Sequence, residues 1–387
     1  MTELIKQIVG IDVSKDKFDA CFGEIDIRQQ FKVKGKREFA NTNKGFKELQ
    51  RWIEKQQQQK LFLLAVMEAT GVYYESLAFY LHKQGFAVAI VLPNKARKYM
   101  QSLGLKSKND KIDAWGLAKL GADQQLDLWQ PMGDFFYCLR SLTRHHEQLH
   151  HSRTLFNNQL HAHEHSAIQE KSVLKHLHQA IALMDKQLEQ TLSAIKQHIN
   201  ADSEVKRKME NILRIKGVGL ISFATVIAET NGFALFKNIP QVVSYAGYDV
   251  IENQSGNHVG KTRISKKGNS HIRRILHMPA LSTITHKQKP FVDLFERVYK
   301  ATGIKMKAYV AVQRKLLVMI YTLWKKDEPF DIENKNTSGN DEHRAFFPLA
   351  EHSSAKLSYG QKTVVPQLSS TTQDELRYNE SHEALFP

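Results

Sequence analysis

Four acidic side chains near the N-terminus have the types and positions needed to bind divalent metal ions. Asp12 lies at the end of the apolar run QIVGIDV, and Glu68 directly follows the apolar run LFLLAVM. Asp110 and Asp113 are three residues apart, so they share one face if residues 109–121 are helical. Carboxylates from two strand ends and one helix could hold two cations about 3.5–4 Å apart, as in phosphoryl transfer. Oxygen ligands of this kind favour Mg²⁺ or Mn²⁺ over zinc.

The same acids also have an ordinary explanation. A DxxD pair near a helix start interacts favourably with the helix dipole whether or not it binds a metal. Asp12 and Glu68, taken singly, could be loop acids. The order of the four acids, the elements that carry them and the basic protein around them favour the metal hypothesis. Lys106, Lys108 and Lys111 could contact phosphate near the metals, although a solvated basic face explains them equally well.

A second unusual stretch, residues 244–281, is strongly basic and contains a candidate nucleophile. From Asn253 to Val292 there are eight Lys and Arg residues and no acidic residue, which favours contact with a phosphate backbone. The cations that we expect to contact nucleic acid are Lys261, Arg263, Lys266, Lys267, Arg273 and Arg274. Ser255 lies among them in the tripeptide QSG, which on residue types alone is a turn. His258 could act as its base, but nothing in the sequence positions it.

The segment RIKGVGLIS, residues 214–222, is similar to the hairpin of a helix-hairpin-helix module. Backbone amides around Gly217 and Gly219 could hold a phosphate there. A plain turn between two helices explains the glycines equally well. The segment therefore adds a candidate contact with nucleic acid, and both interpretations stay open.

The elements that must position the acids follow from the hydrophobic pattern. Short apolar runs typical of buried strands occur at 7–13, 61–67 and 86–92, and segments 18–22 and 31–33 add two further strands. Apolar residues at helical spacing follow the third strand and also lie between the last two strands, so a helix is expected at each of these two places. Three strands followed by strand, helix, strand and helix predict a mixed sheet with helices on its faces.

From about residue 134 to 209 the pattern is wholly helical. Apolar residues recur every seven positions from Leu174 to Ile195, which predicts two long helices joined near 164–170 as an antiparallel coiled-coil hairpin. Such a hairpin suits a spacer or a dimerisation arm. Ten histidines crowd this segment, and pairs such as His146 and His150 have a spacing compatible with metal binding. Because the heptad places most of them outside the seam, we interpret them as exposed polar surface.

Composition limits the class of protein. The net charge is +15, with +19 in residues 1–330 and −4 in residues 331–387, so a polyanion such as nucleic acid is the expected partner. Charge alone does not distinguish DNA, RNA and a membrane surface. No run approaches the roughly 18–20 apolar residues of a membrane span, and the first residues lack a signal-peptide pattern. With only Cys21 and Cys138 no disulfide framework is possible, and we expect a reducing cytoplasm.

Five segments, in this order, resemble the DEDD transposases of the insertion-sequence one-ten family, which includes the pilin-gene invertases. They are GIDVSKDKFD (10–19), MEATGVYYESLA (67–78), LKSKNDKIDAWGLA (105–118), IKGVGLISFATVIAE (215–229) and the basic segment at 244–276. The likeness covers about residues 5–330 and leaves the tail uncovered. It implies an α/β N-terminal domain with the ribonuclease-H-like fold of the Holliday-junction resolvase RuvC, followed by mainly helical segments.

The hydrophobic pattern, the composition and the resemblance together give the expected domains, and the resemblance implies the roles of the site residues. The expected domains are a catalytic metal-binding domain (1–130), a coiled-coil hairpin (131–208), a transposase domain with the serine loop (209–330) and a disordered tail (331–387). The implied metal tetrad is Asp12, Glu68, Asp110 and Asp113. The family's nucleophilic serine lies in an [EQ]SG motif, which here is Ser255, whereas Ser244 in VSYAG does not match. His258 and the tail match nothing in the family pattern.

What the resemblance implies about activity is DNA cleavage and rejoining through a covalent phosphoserine intermediate. The metal site of one protomer would lie beside the serine of another, in a dimer or tetramer acting on double-stranded DNA, with a structured guide RNA as a further partner. Three alternatives stay open. They are a junction-resolving nuclease that uses water as the nucleophile, a pilin-type DNA invertase without element mobility, and a non-catalytic nucleic-acid scaffold.

Overall fold

A five-stranded mixed sheet forms the N-terminal part of the chain. The computed structural model describes residues 3–57, 61–104, 110–251, 254–255, 258–259 and 263–331. The strands are β1 (Leu4–Val13), β2 (Lys17–Asp26), β3 (Phe31–Ala40), β4 (Leu63–Glu68) and β5 (Ala87–Val91), in the order β3-β2-β1-β4-β5. β2 is antiparallel to β1 and β3, whereas β4 is parallel to β1 and β5. This arrangement agrees with the ribonuclease-H-like fold that the resemblance implies.

Helices cover both faces of the sheet. They are α1 (Asn43–Gln56), α2 (Glu75–Lys83), α3 (Pro93–Ser102) and α4 (Asp110–Asp123). Side chains of α1 and α2 share a core with Val9 and Ile11 of β1, whereas α3 and α4 share the opposite core with Ile8. Because successive strand residues point to opposite faces, the even-numbered positions of β1 face α4. This alternation decides which acids of the sheet can meet that helix.

Two long helices follow the sheet. Helix α5 (Asp134–Glu164) and helix α6 (Lys171–Asn200) pack against each other, and their buried seam includes Leu149, Leu177 and Ile195. The predicted pair of long helices with a junction near 164–170 is confirmed, while a supercoiled geometry stays a prediction. Eight of the ten histidines between 145 and 198 are exposed, as expected from the heptad. His146 is the fully buried one among them.

The remainder of the described chain is mainly helical. It comprises α7 (Ser203–Ile212), α8 (Leu220–Glu229), α9 (Ile239–Ala246), α10 (Ser270–Ile275), α11 (His277–Thr285), α12 (Lys289–Thr302) and α13 (Lys305–Lys326). Four two-residue strands lie between α9 and α10, namely β6 (Val250–Ile251), β7 (Gln254–Ser255), β8 (His258–Val259) and β9 (Arg263–Ile264). Helices α8 and α13 supply the centre of the core, including Phe223, Ile227 and Ile320. The boundaries at 130, 208 and 330 stay predictions.

Two expectations from composition were a disordered tail and the absence of a membrane span. The tail predicted to be disordered lies, apart from Asp331, outside the described residues. None of the helices within the described ranges is both long and apolar enough to cross a membrane.

Candidate metal centre and serine loop

Asp12 and Glu68 emerge at the same edge of the sheet. β1 and β4 are parallel neighbours, and their register pairs Ile11 with Met67, so the next residue on each strand is one of the two acids. Both acids continue the series of strand positions that face α4, since Gly10 in β1 and Val66 in β4 face that helix. Strand pairing alone therefore places these two carboxylates side by side under α4.

Gly10 allows α4 to approach the sheet closely enough to bring its own acids to this edge. A Cβ atom at position 10 would lie 2.1 Å from the carbonyl oxygen of Ala114 and 2.2 Å from the amide nitrogen of Ala118. The helix backbone thus rests directly on β1. Asp110 and Asp113 occupy the first turn of this helix and precede the contact at Ala114 by four residues and one residue. They therefore lie over the end of β1.

Electrostatics shows that the four acids share one neighbourhood. The pKa of Asp12 rises from 3.8 to about 6, first because burial disfavours its charge and then because Asp113, Asp110, Glu68 and Asp19 repel it. Such repulsion indicates that the carboxylates are neighbours, although they are not arranged as the ligands of one metal ion. The structure therefore brings together the four acids that the sequence singled out.

The chemistry of the donor set fits a hard divalent cation. All four groups are carboxylates, and two positive charges would relieve the repulsion that raises the pKa of Asp12. Thr70 donates to an oxygen of Glu68 over 3.1 Å and so restrains that carboxylate. Within the described ranges, no three His, Cys, Asp or Glu side chains are already arranged to hold a metal ion. The acids thus form a concentrated negative edge, and their side chains would have to draw closer together to hold a cation.

The serine loop is defined here as residues 247–268, between α9 and α10. Its backbone forms a small hairpin in which Ser255 of β7 pairs with His258 of β8. The side chains of both residues, and Lys261, lie outside what the structure describes. Arg263 is exposed on β9, which pairs with β6 below the hairpin. The structure therefore places the backbone of Ser255 in a short hairpin strand, and Arg263 is an exposed cation later in the same loop.

Two glycines close the base of the serine loop. Gly247 ends α9 with a φ of +75°, and a Cβ atom at Gly268 would lie 2.6 Å from the Gly247 nitrogen. Backbone packs on backbone here, which only glycine permits. Arg273 donates to the carbonyl oxygen of Ala246 over 2.7 Å and so reinforces this closure. The two ends of the loop are therefore held together by direct backbone packing, and this closed base is called the stem of the loop.

The turn at residues 214–219 lies between α7 and α8. Gly217 has a φ of +107°, and a Cβ atom there would meet Ser282 at 2.9 Å, so this glycine is required by the fold itself. A Cβ atom at Gly219 would meet no atom within 4 Å. The backbone beside Gly219, at the start of α8, is therefore the part of the predicted hairpin that a phosphate could approach.

Comparison with known proteins identifies the family. Residues 9–165 match a family described as a DEDD transposase of the IS110 type, and residues 209–296 match the family described as "Transposase IS116/IS110/IS902 family". A pilin gene-inverting protein of Moraxella bovis is 30% identical over 331 residues, which cover 84% of this chain and 98% of that protein. The pilin gene-inverting protein of Moraxella lacunata matches to the same extent.

The chain belongs to the IS110 transposase family. Membership makes it a DNA recombinase or transposase, as the resemblance implied. Two solved structures of Thermus thermophilus RuvC, one in complex with a Holliday junction substrate, each cover 32% of this chain and 99% of RuvC. Their sequences are 11% and 9% identical, and both TM-scores are 0.25. The family assignment therefore rests on the sequence relatives.

The transposase has a fifth acid at its candidate metal centre that sequence reasoning missed. Asp19 of β2 is only 5% exposed and lies directly opposite Asp12 in the antiparallel register. Burial first, and Glu38 next, raise its pKa. The signal was available in the segment FDACF, where an acid interrupts an otherwise apolar strand. Buried charge of this kind is rare without a role or a partner.

Two arginines that were expected to bind nucleic acid contact the transposase itself. Arg273 is bound to backbone carbonyls of the loop stem. Arg274 forms an ion pair with Glu147 of α5 over 2.7 Å, and His271 contacts the same carboxylate over 2.6 Å. Lys266 and Lys267 are exposed at the end of the loop. The exposed lysines and Arg263 are thus the better placed of these cations to meet a phosphate backbone.

Proposed function

We propose that this transposase cleaves and rejoins double-stranded DNA through a covalent phosphoserine intermediate on Ser255. In this proposal Asp12, Glu68, Asp110 and Asp113 bind divalent cations, Mg²⁺ or Mn²⁺. The observation that carries the proposal is the gathering of these acids at one sheet edge in a protein whose family acts on DNA. The [EQ]SG motif of the family supports the assignment of the serine.

The chemistry is a pair of transesterifications. The Ser255 oxygen forms a bond to a backbone phosphorus and loses its proton, while the phosphorus–oxygen bond to one side of the DNA strand breaks and that side leaves as a free hydroxyl. A DNA hydroxyl then attacks the same phosphorus and releases the serine, which recovers a proton. The number of phosphodiester bonds is conserved, so rejoining needs no external energy source. Bound divalent cations would stabilise the charge that develops on the phosphoryl oxygens and increase the acidity of the attacking hydroxyl.

The separation of the acids and the serine along the chain supports a site shared between protomers. Asp12 and Glu68 lie near the ends of β1 and β4, Asp110 and Asp113 lie in the first turn of α4, and the serine is in a loop that follows the long helices in the chain. We infer that one protomer provides the acids and another provides the serine, in a dimer or tetramer. The basic loop and the turn beside Gly219 would hold the DNA backbone. The family resemblance supports a structured guide RNA as the component that pairs with the DNA target.

Matched variants test the nucleophile. Ser255→Ala should abolish the DNA–protein adduct that survives denaturation, whereas Ser244→Ala, an exposed serine outside the motif, should form it normally. Asp12→Asn should also abolish it, and Asp16→Asn, an exposed acid in the adjacent turn, should not. Cleavage at full rate by Ser255→Ala would instead support a junction-resolving nuclease that uses water.

Mixing the two inactive variants tests the shared site. If acids and serine come from different protomers, a mixture of Ser255→Ala and Asp12→Asn protomers should regain about a quarter to a half of the activity. That estimate assumes random assembly of a two-fold oligomer with isologous sites. If each protomer contained a complete site of its own, no mixture would regain activity.

A second candidate function is DNA inversion without element mobility. The relatives named pilin gene-inverting proteins favour it. A plasmid with two recombination sites in opposite orientation distinguishes the two outcomes, because inversion reverses the intervening segment and transposition moves a segment into new DNA. Adding or omitting RNA transcribed from the region beside the gene tests whether a guide is required. Unchanged DNA in every arm, together with normal behaviour of Asp12→Asn in cells, would favour a non-catalytic scaffold.

A further inference from the structure

A buried carboxylate lies behind the serine loop, far in sequence from the predicted tetrad. Glu229 is the last residue of α8 and is only 2% exposed. Arg144 of α5 donates to both of its oxygens, over 2.7 and 2.9 Å. Burial alone would raise the pKa of Glu229, but the hydrogen bonds and charge of Arg144 keep it below the ordinary value. Glu229 is therefore a charged group that is fixed in place by a two-pronged contact.

Asn269 connects this carboxylate to the stem of the serine loop. Its side-chain amide donates to Glu229 over 2.6 Å, and its side-chain oxygen caps α10 by accepting from Ile272 over 3.1 Å. Its backbone amide donates to the carbonyl oxygen of Tyr245 over 2.7 Å. The hydroxyl of Tyr245 in turn donates to the carbonyl oxygen of Glu229 over 2.9 Å. Both sides of the stem are thus bound to the same residue.

The position of these contacts gives them a mechanical consequence. Tyr245 lies just before the serine loop and Asn269 directly follows it, and the packed glycines of the stem lie between them. Arg144 lies in the first half of the 31-residue helix α5. Glu147, one turn further along α5, adds the contacts with α10. The loop base is therefore bound to one arm of the long helical pair.

We propose that Glu229, held by Arg144 and Asn269, is a positioning residue that fixes the base of the serine loop to helix α5 and so presents Ser255 for attack on DNA. This inference rests on the proposed function. A nucleophile must be held within a fraction of an ångström of its reactive position, and a small displacement of its support lowers the rate sharply. Any movement of α5 during assembly on DNA would carry the loop with it.

The competing explanation is that this network only stabilises the fold. Both explanations predict some loss of stability when a buried ion pair is broken. They differ in what happens to the chemical step in protein that remains folded. A positioning role requires slower adduct formation by fully folded protein and a looser loop stem, whereas a purely structural role requires neither.

Three substitutions separate the contacts. Glu229→Gln removes the charge that holds Arg144. Asn269→Asp keeps the helix cap but places a second carboxylate against Glu229. Asn269→Ser also keeps a capping oxygen and removes only the amide that contacts Glu229, so it is the mildest test and decides the outcome if the others fail to fold. Arg207→Gln is the control, because it breaks the pair between Arg207 and Asp327 on another side of the same core.

The experiment measures two quantities on the full-length protein, well below each variant's unfolding temperature. The first is the rate of covalent adduct formation on a cleavable DNA duplex with Mg²⁺ present. The second is amide hydrogen exchange across residues 263–269. We expect Glu229→Gln and Asn269→Ser to form adduct at least tenfold more slowly than wild type, with faster exchange in the stem. The control should stay within twofold of wild type in both measurements.

The proposal is overturned if adduct formation by both Glu229→Gln and Asn269→Ser falls no more than in the control, or if exchange in the stem is unchanged. Failure of the proposed function looks different. If Ser255→Ala cleaves DNA as wild type does, the serine chemistry is wrong, while hydrogen exchange still reports whether Glu229 anchors the loop. The two hypotheses can therefore fail separately.

Discussion

Replacing Asp12 by asparagine is predicted to stabilise the metal-free protein and also to abolish recombination. Burial and the neighbouring acids raise the pKa of Asp12 from 3.8 to about 6. Because a tenfold change in proton affinity corresponds to about 1.36 kcal/mol, ionising this group in the folded protein costs at most about 3 kcal/mol. The residue is half-buried, and solvent screening reduces this to about 1–2 kcal/mol. Asparagine has nearly the same shape without the charge, so the variant should gain about that much free energy of unfolding.

The pH dependence gives the sign of the effect. The pKa of Asp12 is higher in the folded than in the unfolded chain. Between pH 3.8 and about 6 the folded protein therefore keeps a proton on Asp12 that the unfolded chain has lost. Stability from the protonated group is fully present below pH 3.8 and is lost as the pH rises through about 6. The variant and the wild type should therefore be about equally stable at low pH. Their difference should reach its full size above about pH 7.

The assay is urea unfolding followed by circular dichroism, in EDTA and then in Mg²⁺. Magnesium at 100 times its dissociation constant should stabilise the wild type by about 2.7 kcal/mol and the variant by much less. Asp16→Asn, which changes an exposed acid nearby, should follow the wild type in both buffers. The reasoning would be refuted by an Asp12→Asn protein that is less stable than wild type in EDTA at neutral pH. Equal stabilisation of both proteins by magnesium would refute it as well.

Three further predictions concern other positions. Gly10→Ala should destabilise the protein by about 1–3 kcal/mol and weaken Mg²⁺ binding in calorimetry, because its Cβ atom would meet the backbone of α4 at 2.1 Å. His146→Leu should reduce the loss of unfolding free energy that wild type shows as the pH falls from 6.5 to about 4. Burial, and then His150, lower the pKa of His146 from 6.5 to about 4, so between these values the unfolded chain gains a proton that the folded protein does not bind. Urea unfolding measured at several pH values would detect the difference. Gly219→Ala should leave the unfolding free energy unchanged within about 0.5 kcal/mol, because the space is open. It should weaken DNA binding severalfold in fluorescence anisotropy if the amides beside it hold a phosphate, and unchanged binding would favour the plain turn.

Local sequence patterns were sufficient to predict the strands of the five-stranded sheet and the two long helices, but they did not predict α3 or the short strands β6–β9. The apolar runs predicted the five strands, although β3 extends to Ala40, seven residues beyond the predicted segment. The heptad predicted both long helices and the exposure of most histidines. These features follow from local physics, since burial on one face of a strand or helix imposes a period on neighbouring residues. The family motifs added the prediction that Ser255 is the nucleophile, whereas residue types alone predict only a turn there.

The sequence alone also determined which side chains could do chemistry, because acids at strand ends and at a helix start are visible in the order of residues. Only the tertiary structure decided that they meet. That outcome depends on the register between β1 and β4 and on the bare backbone of Gly10, which admits α4. The tertiary structure also placed Asp19 beside the predicted tetrad and bound Arg273 to the loop stem. It paired Glu229 with Arg144, which is 85 positions away in the sequence. Contacts of this kind are set by how whole elements pack, and a period along one element contains no information about its distant neighbours.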